Sequence, residues 1–219
     1  MNLPDIFDAI LEFGGDVAVG GAKQAGRALI AGYLKRKAEA ARDILLEEIR
    51  SGDKLPPQVA SDDDAVAVIY RYLRSANEGA ARINLRLLAK AIVGKMRTTA
   101  LLADEFNLYA DALASLSRDE IIVIATIWKQ HAAPRPFRPT ISGPVATPWH
   151  ATVLNLQDDG WPGGRVVAAA NRAQRSGLII ASAQSGFNGG GGLLFSPSAM
   201  LEELVKTVDF DDALRAEPE

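Results

Sequence analysis

The chain has 219 residues, and its 24 Lys and Arg against 27 Asp and Glu give a formal net charge of −3 at pH 7. This length is sufficient for one or two domains with a buried core, and the acidic balance excludes a protein that is a polycation overall. Because the chain has no cysteine, disulfides, thiolate zinc sites, iron–sulfur clusters and cysteine nucleophiles are also excluded.

The N-terminal segment predicts helical structure without a membrane span. Its most apolar stretch, residues 9–34, is interrupted by Glu12, Asp16, Lys23 and Arg27. Burying these charges in a bilayer would cost several kcal/mol each. The beginning of the chain also lacks the basic residues that precede the apolar core of a secretion signal. We therefore expect a cytoplasmic protein with no integral membrane span.

Small residues recur at every fourth position near the N terminus. Gly14, Ala18, Ala22 and Gly26 would share one helical face, where a second backbone can approach closely. One interpretation is an interface with a second copy of the chain or with another protein. Close packing within the chain, a break in the helix at the glycines, and association with a membrane are the alternatives.

Ser61 and the three aspartates after it predict the capped beginning of a second long helix. Apolar residues at helical spacing continue this helix to about residue 97. Two polar residues, Asn77 and Asn84, also fall on this apolar face. The polar face is a basic stripe that carries Arg71, Arg74, Glu78, Arg82, Arg86, Lys90 and Arg97. Such a stripe is typical of a solvated face, and a phosphate backbone or an anionic membrane is the functional alternative.

The C-terminal half mixes helices with a short hairpin. Ser117 and Glu120 predict a capping box, and a helix over 162–176 is expected to end at Gly177. Two strands flank the glycine-rich stretch 186–192, a further helix follows, and the acidic end from Asp209 is expected to be frayed. The sequence thus predicts a mostly α fold with a small β-hairpin. An α-helical domain of long antiparallel helices spans 1–116, and a mixed α+β domain spans 117–219.

The order of elements in this second half resembles a winged-helix domain. The resemblance rests on Ser117–Trp128 as the first helix, Gly163–Ile179 as the third helix with its turn, and Ile180–Phe195 as the wing. In that family the third helix usually enters the major groove of double-stranded DNA, and the wing touches the backbone or the minor groove. The resemblance implies a non-enzymatic DNA-binding regulator, with the N-terminal helices forming a dimer or binding a partner.

A helical wheel of the third helix separates a core face from an outward face. The core face holds Val166, Ala169, Ala170 and Ala173. The candidate DNA contacts are Arg165, Asn171, Arg172 and Arg175, together with Asn188 at the wing tip. Arginine can read guanine and asparagine can read adenine. The glycine-rich wing has no Lys or Arg, which favours the alternative that the domain is a scaffold for protein interaction.

The order of short strings over the whole chain has a weaker resemblance to abortive-infection alpha-type bacterial proteins. It rests on residues 78–89, on 106–116 with the Leu-Ser-Arg-Asp-Glu that overlaps its end, and on the late Arg-Ser-Gly-Leu-Ile at 175–179. This resemblance implies a phage-defence component without an assigned chemistry.

No set of residues predicts catalysis or a cofactor. The adjacent acids at 62–64 and 158–159 are typical of helix caps and turns. His131 and His150 lack the paired spacing of metal ligands. The glycine-rich loop has no Lys-Ser or Lys-Thr after it, as a phosphate-binding P-loop requires. We therefore expect no enzymatic activity, no metal and no cofactor.

Overall fold

A computed structural model describes residues 6–7, 9, 24–51, 61–98, 100–133, 147–184 and 192–217. Within these ranges the chain forms nine α-helices and one two-stranded antiparallel sheet, which confirms the predicted mostly α fold with a small hairpin. None of the helices in these ranges is long and apolar enough to cross a membrane.

The helices in chain order are α1 Gln24–Ser51, α2 Asp62–Asn77, α3 Arg82–Thr98, α4 Ala103–Leu113, α5 Arg118–Ala132, α6 Pro148–Asp158, α7 Gly163–Ala173, α8 Ala199–Leu204 and α9 Phe210–Ala216. A short 3-10 turn, Gln174–Ser176, extends α7. The strands are β1 Ile179–Gln184 and β2 Gly192–Pro197, and their register pairs Ala181 with Phe195.

The chain forms two compact units. The first contains the described residues up to Ser115 and those from Lys206 onward, and the second spans Leu116–Val205. The boundary expected after residue 116 falls next to the observed one. The second domain is expected from the sequence to extend from 117 to the end of the chain, whereas residues 206–217 belong to the first unit. The expectation of a frayed end is also wrong, because α9 forms there and buries Phe210 and Ala213.

Helices α1 to α4 pack on one another in the first unit, and α9 packs on α3. Two buried polar side chains join helices, as buried donors require. The Tyr72 hydroxyl of α2 donates to the carbonyl of Ala41 in α1 at 2.9 Å. The Asn84 amide of α3 donates to the carbonyl of Leu113 in α4 at 2.6 Å. These bonds fix how the helices of this unit meet.

The long second helix of the sequence analysis is two helices in the structure. Ser61 caps α2 as predicted, since its hydroxyl accepts from the amide of Asp64 at 3.1 Å. The chain then turns at Gly79, whose φ of +96° is a conformation that ends helices. Asn77 is exposed rather than on the buried face. The basic stripe is not uniformly solvated either, because Arg86 is buried and the Lys90 side chain is only 12% exposed.

The second unit is built around α5, which packs against α6, α7 and β2. Its predicted capping box is confirmed at Ser117 and Glu120. A short turn with Gly160 at φ +84° joins α6 to α7. The predicted helix end at Gly177 is also confirmed, since this residue has φ +72° and leads into β1. The unit therefore presents two helices joined by a tight turn and followed by a hairpin.

Candidate nucleic-acid interface

The outward face of α7 carries the candidate contacts. Val166, Ala169, Ala170 and Ala173 are buried as predicted, and this orients the rest of the helix toward solvent. Of the predicted DNA contacts, the structure exposes Arg165, Asn171, Arg172 and Arg175. Asn188 lies outside the described residues. The sequence thus identified an exposed polar face on α7.

Arg165 is held by an acid that the sequence analysis did not single out. Its Nε and Nη2 donate to the two carboxylate oxygens of Asp119 at 3.0 and 2.7 Å. Its guanidinium also lies 4.0 Å from the ring centre of Trp161. The hydrogen bonds from Arg165 hold the pKa of Asp119 below its usual value, and the nearby charge of Arg172 lowers this pKa further. Arg165 therefore connects the beginning of α7 to the beginning of α5.

Arg175 is held in a similar way by Glu120. Its Nη1 lies 3.0 Å from Oε1 of Glu120, and its Nη2 donates to Oε2 at 3.2 Å. The same Oε2 accepts from the backbone amide of Ser117 at 2.7 Å. The capping carboxylate of α5 is thus also the partner of an arginine at the far end of α7. Half of the Arg175 side chain remains exposed.

Asn171 and Arg172 are adjacent and both exposed on this face. The Asn171 side-chain oxygen accepts from Nε2 of Gln174 at 3.2 Å. Arg172 acts on Asp119 through space. With the two acids included, three arginines stand against two carboxylates. The face has a small positive charge and one adjacent asparagine and arginine able to reach a ligand.

The hairpin contributes little charge to this surface. The sequences of β1 and β2 contain no Lys, Arg, Asp or Glu. Ser182 and Ala183 of β1 and Leu193 of β2 are exposed. The strands can therefore offer backbone and hydroxyl groups to a ligand but no ion pair.

The acidic partners of the arginines were not evident in the sequence. Asp119 and Glu120 come shortly after Ser117, and this pattern predicts the first turn of a helix. Their contacts with residues 46 and 55 positions away depend on how α5 and α7 pack. The capping box was the one available signal, and it indicated only a local role.

The other predicted sites lie elsewhere. In the small-residue stripe, Gly14, Ala18 and Ala22 are outside the described residues, and Gly26 lies within α1. Across the part of the chain that the structure describes, no group of three or more acidic or histidine side chains is arranged to hold a metal ion.

Comparison of the chain with protein-family models, with curated proteins and with solved structures finds no match in any of the three.

Proposed function

We propose that the second unit is a double-stranded DNA-binding module of the winged-helix type, with α7 as its recognition helix. The observation that carries the proposal is the outward pair Asn171 and Arg172 on the second helix of a helix-turn-helix arrangement that a hairpin follows. In such modules the second helix of the turn lies in the major groove, where asparagine and arginine side chains reach base edges.

The held arginines fit this role as positioning groups. Asp119 and Glu120 fix the guanidinium groups of Arg165 and Arg175, so that less rotamer entropy is lost when a ligand binds. Both side chains remain about half exposed and can contact a phosphate oxygen as well. In this mechanism Arg165 and Arg175 set the register of α7 on the backbone, and Asn171 and Arg172 read bases.

A protein-binding scaffold is the second candidate, and the same ion pairs favour it. Because Asp119 and Glu120 neutralise two of the three arginines, the electrostatic attraction of this face for DNA is reduced. Val167 on α7 and Ile180 on β1 are also exposed apolar side chains, at 42% and 54%. In this alternative the face of α7 meets a protein surface rather than a groove.

Fluorescence anisotropy of a labelled mixed-sequence duplex separates the two candidates. For the two phosphate contacts of Arg165 and Arg175, DNA binding should weaken by roughly 12-fold between about 50 and 200 mM salt. The double variant Asn171→Ala/Arg172→Ala should weaken binding at least about tenfold at the lower salt, because a bidentate base contact is worth about 1–3 kcal/mol.

A matched control tests whether the loss is specific to α7. The variant Arg36→Ala/Asn77→Ala removes the same residue types from exposed positions in α1 and α2 of the first unit. It should bind DNA as the unaltered chain does. Equal weakening by both variants, or no binding of the unaltered chain at either salt, would contradict the DNA-binding proposal, and the latter result would leave the scaffold as the better interpretation.

A further inference from the structure

Three cations form a row along α3 of the first unit. Arg82, Arg86 and Lys90 follow one another at intervals of four residues, so their side chains leave the same face at a spacing of about 6 Å. Each of them contacts a carboxylate of the C-terminal segment, defined here as Lys206–Glu217. This contact explains why the end of the chain belongs to the first unit.

Glu217 bridges the first two cations. Its Oε2 accepts from Nε of Arg82 at 2.9 Å, and its Oε1 accepts from Nη2 of Arg86 at 2.8 Å. Asp212 accepts from Nζ of Lys90 at 2.6 Å. The side chains of Arg86 and Lys90 are only 5% and 12% exposed. These are short, charge-assisted bonds. Arg86 and Lys90 are largely desolvated, whereas Arg82 and Asp212 are exposed at 59% and 49%.

The C-terminal segment has no helix that is long enough to be stable without the rest of the unit. Its helix α9 has seven residues, which is too short to be stable alone in water. Its apolar residues Phe210 and Ala213 are buried, with 4% and 0% of their surface exposed. The helical form of α9 therefore depends on its contact with α3, so loss of the ion pairs weakens the helix and the docking together.

Removal of this segment reverses the sign of charge around the row. Glu47 and Glu48 of α1 also contact Arg86, and Glu48 contacts Lys90. With Asp212 and Glu217 in place the three cations face four carboxylates. Without them the same cations face two. Arg97 lines the groove beside Lys90 and Asp212 and adds a further positive charge there.

We propose that the C-terminal segment masks a phosphate-binding surface on α3, and that the backbone of a nucleic acid displaces the segment and takes its place on Arg82, Arg86 and Lys90. Phosphate oxygens accept hydrogen bonds from guanidinium and ammonium groups as carboxylates do. Hydrogen bonds to phosphate can therefore replace those that the three cations make to Asp212 and Glu217. Release of counterions and the restored freedom of the segment favour the exchange. This surface is made of other residues than the α7 face and does not depend on the proposed function.

The test is anisotropy of a mixed-sequence duplex with chains that already carry Asn171→Ala/Arg172→Ala. The base contacts proposed for α7 are then absent from every chain, and its remaining arginines, Arg165 and Arg175, are the same in each chain compared. Adding Asp212→Asn/Glu217→Gln should tighten DNA binding roughly tenfold at about 50 mM salt, as expected for two additional phosphate contacts. Further substitution of Arg82→Gln and Lys90→Gln should abolish the gain.

The matched control is Glu39→Gln/Asp43→Asn, which removes two exposed carboxylates from α1 and changes the net charge equally. An equal gain in this control, or no gain in Asp212→Asn/Glu217→Gln, would overturn the proposal. Hydrogen exchange gives a second measurement on a chain with an intact segment. Saturating duplex should speed exchange of the α9 amides, and unchanged or slower exchange would contradict displacement.

Discussion

Arg175 and Glu120 are 55 positions apart in the sequence and form an ion pair, with Nη1 3.0 Å from Oε1 and Nη2 3.2 Å from Oε2. The Glu120 side chain is 1% exposed and also accepts from the amide of Ser117 at 2.7 Å. One buried carboxylate thus completes the N-terminal cap of α5 and holds a guanidinium at the end of α7. Stability and the candidate interface share this residue.

Arg175→Ala should destabilise the second unit, because it leaves the buried carboxylate of Glu120 without its cation. We expect a loss of about 1–3 kcal/mol in the free energy of unfolding, below the full cost of breaking a buried pair since Arg175 is half exposed. Urea denaturation measures this loss. Arg172→Ala, three residues earlier in the last turn of α7, is the control and should change stability by less than about 0.5 kcal/mol. Equal effects would show that the pair with Glu120 carries no special stability.

Local signals in the sequence were sufficient to locate most elements of the second unit. The capping box at Ser117, the buried face of α7 and the helix end at Gly177 each depend on neighbours within a few residues. The ion pairs of Arg165 and Arg175 do not, because they form only once α5 and α7 have packed. The exposed face of α7 was therefore predictable, whereas its reduced charge was not.

Gly177→Ala should destabilise the chain, since Gly177 has φ +72° and an added Cβ would lie 3.3 Å from the end of the Met200 side chain. The left-handed conformation costs a residue with a Cβ about 1–2 kcal/mol. Gly164→Ala is the control, because a Cβ there meets nothing within 4 Å and alanine favours a helix. Thermal unfolding should show a lower midpoint for Gly177→Ala and an unchanged or higher one for Gly164→Ala. A similar fall in both would refute the argument from backbone conformation.

The docking of the C-terminal segment on α3 could not be predicted from the sequence. Asp209, Asp211 and Asp212 suggested a solvated, frayed end. Asp209 instead caps α9, since its side chain accepts from the amide of Asp212 at 2.9 Å. The basic row that receives the segment lies more than 100 positions earlier, as in the pair Arg86–Glu217. The basic row on α3 and the acidic C-terminal segment are each typical of a solvated surface, but in the structure they cover one another. No pattern within a few residues of either one predicts that contact.

Gly94→Ala should disturb the docking of the C-terminal segment. A Cβ on Gly94 would lie 2.6 Å from both Cβ and the carbonyl oxygen of Thr207, so the backbone of one element must move. We expect a loss of about 1–3 kcal/mol in the free energy of unfolding and faster hydrogen exchange in α9. Gly32→Ala, where the nearest atom is the end of the Arg36 side chain at 3.6 Å, is the matched helical control. Exchange in α9 that is equal in both variants would contradict a close approach of α3 to Thr207.

Docking of the same segment should depend on pH through Asp212 and Glu217. The hydrogen bond from Lys90 holds the pKa of Asp212 below its ordinary value. Burial raises the pKa of Glu217, but hydrogen bonds from Arg82 and Arg86 outweigh this and lower it overall. Because both carboxyl groups bind protons less readily in the folded chain, acid favours the unfolded state. Their contribution is complete above the ordinary pKa values of 3.8 and 4.5 and is lost as the pH falls below them.

The comparison of the unaltered chain with Asp212→Asn/Glu217→Gln isolates this contribution. Urea denaturation should find the variant less stable at about pH 7, and the difference should shrink as the pH falls below about 4.5. Asp119, whose pKa is also lowered, is present in both chains and therefore cancels in the difference. A difference that stays constant down to about pH 3 would mean that the two carboxylates stabilise the docked segment by packing rather than by charge. In that case protonation could not release the segment, and its ion pairs with α3 would contribute no net stability.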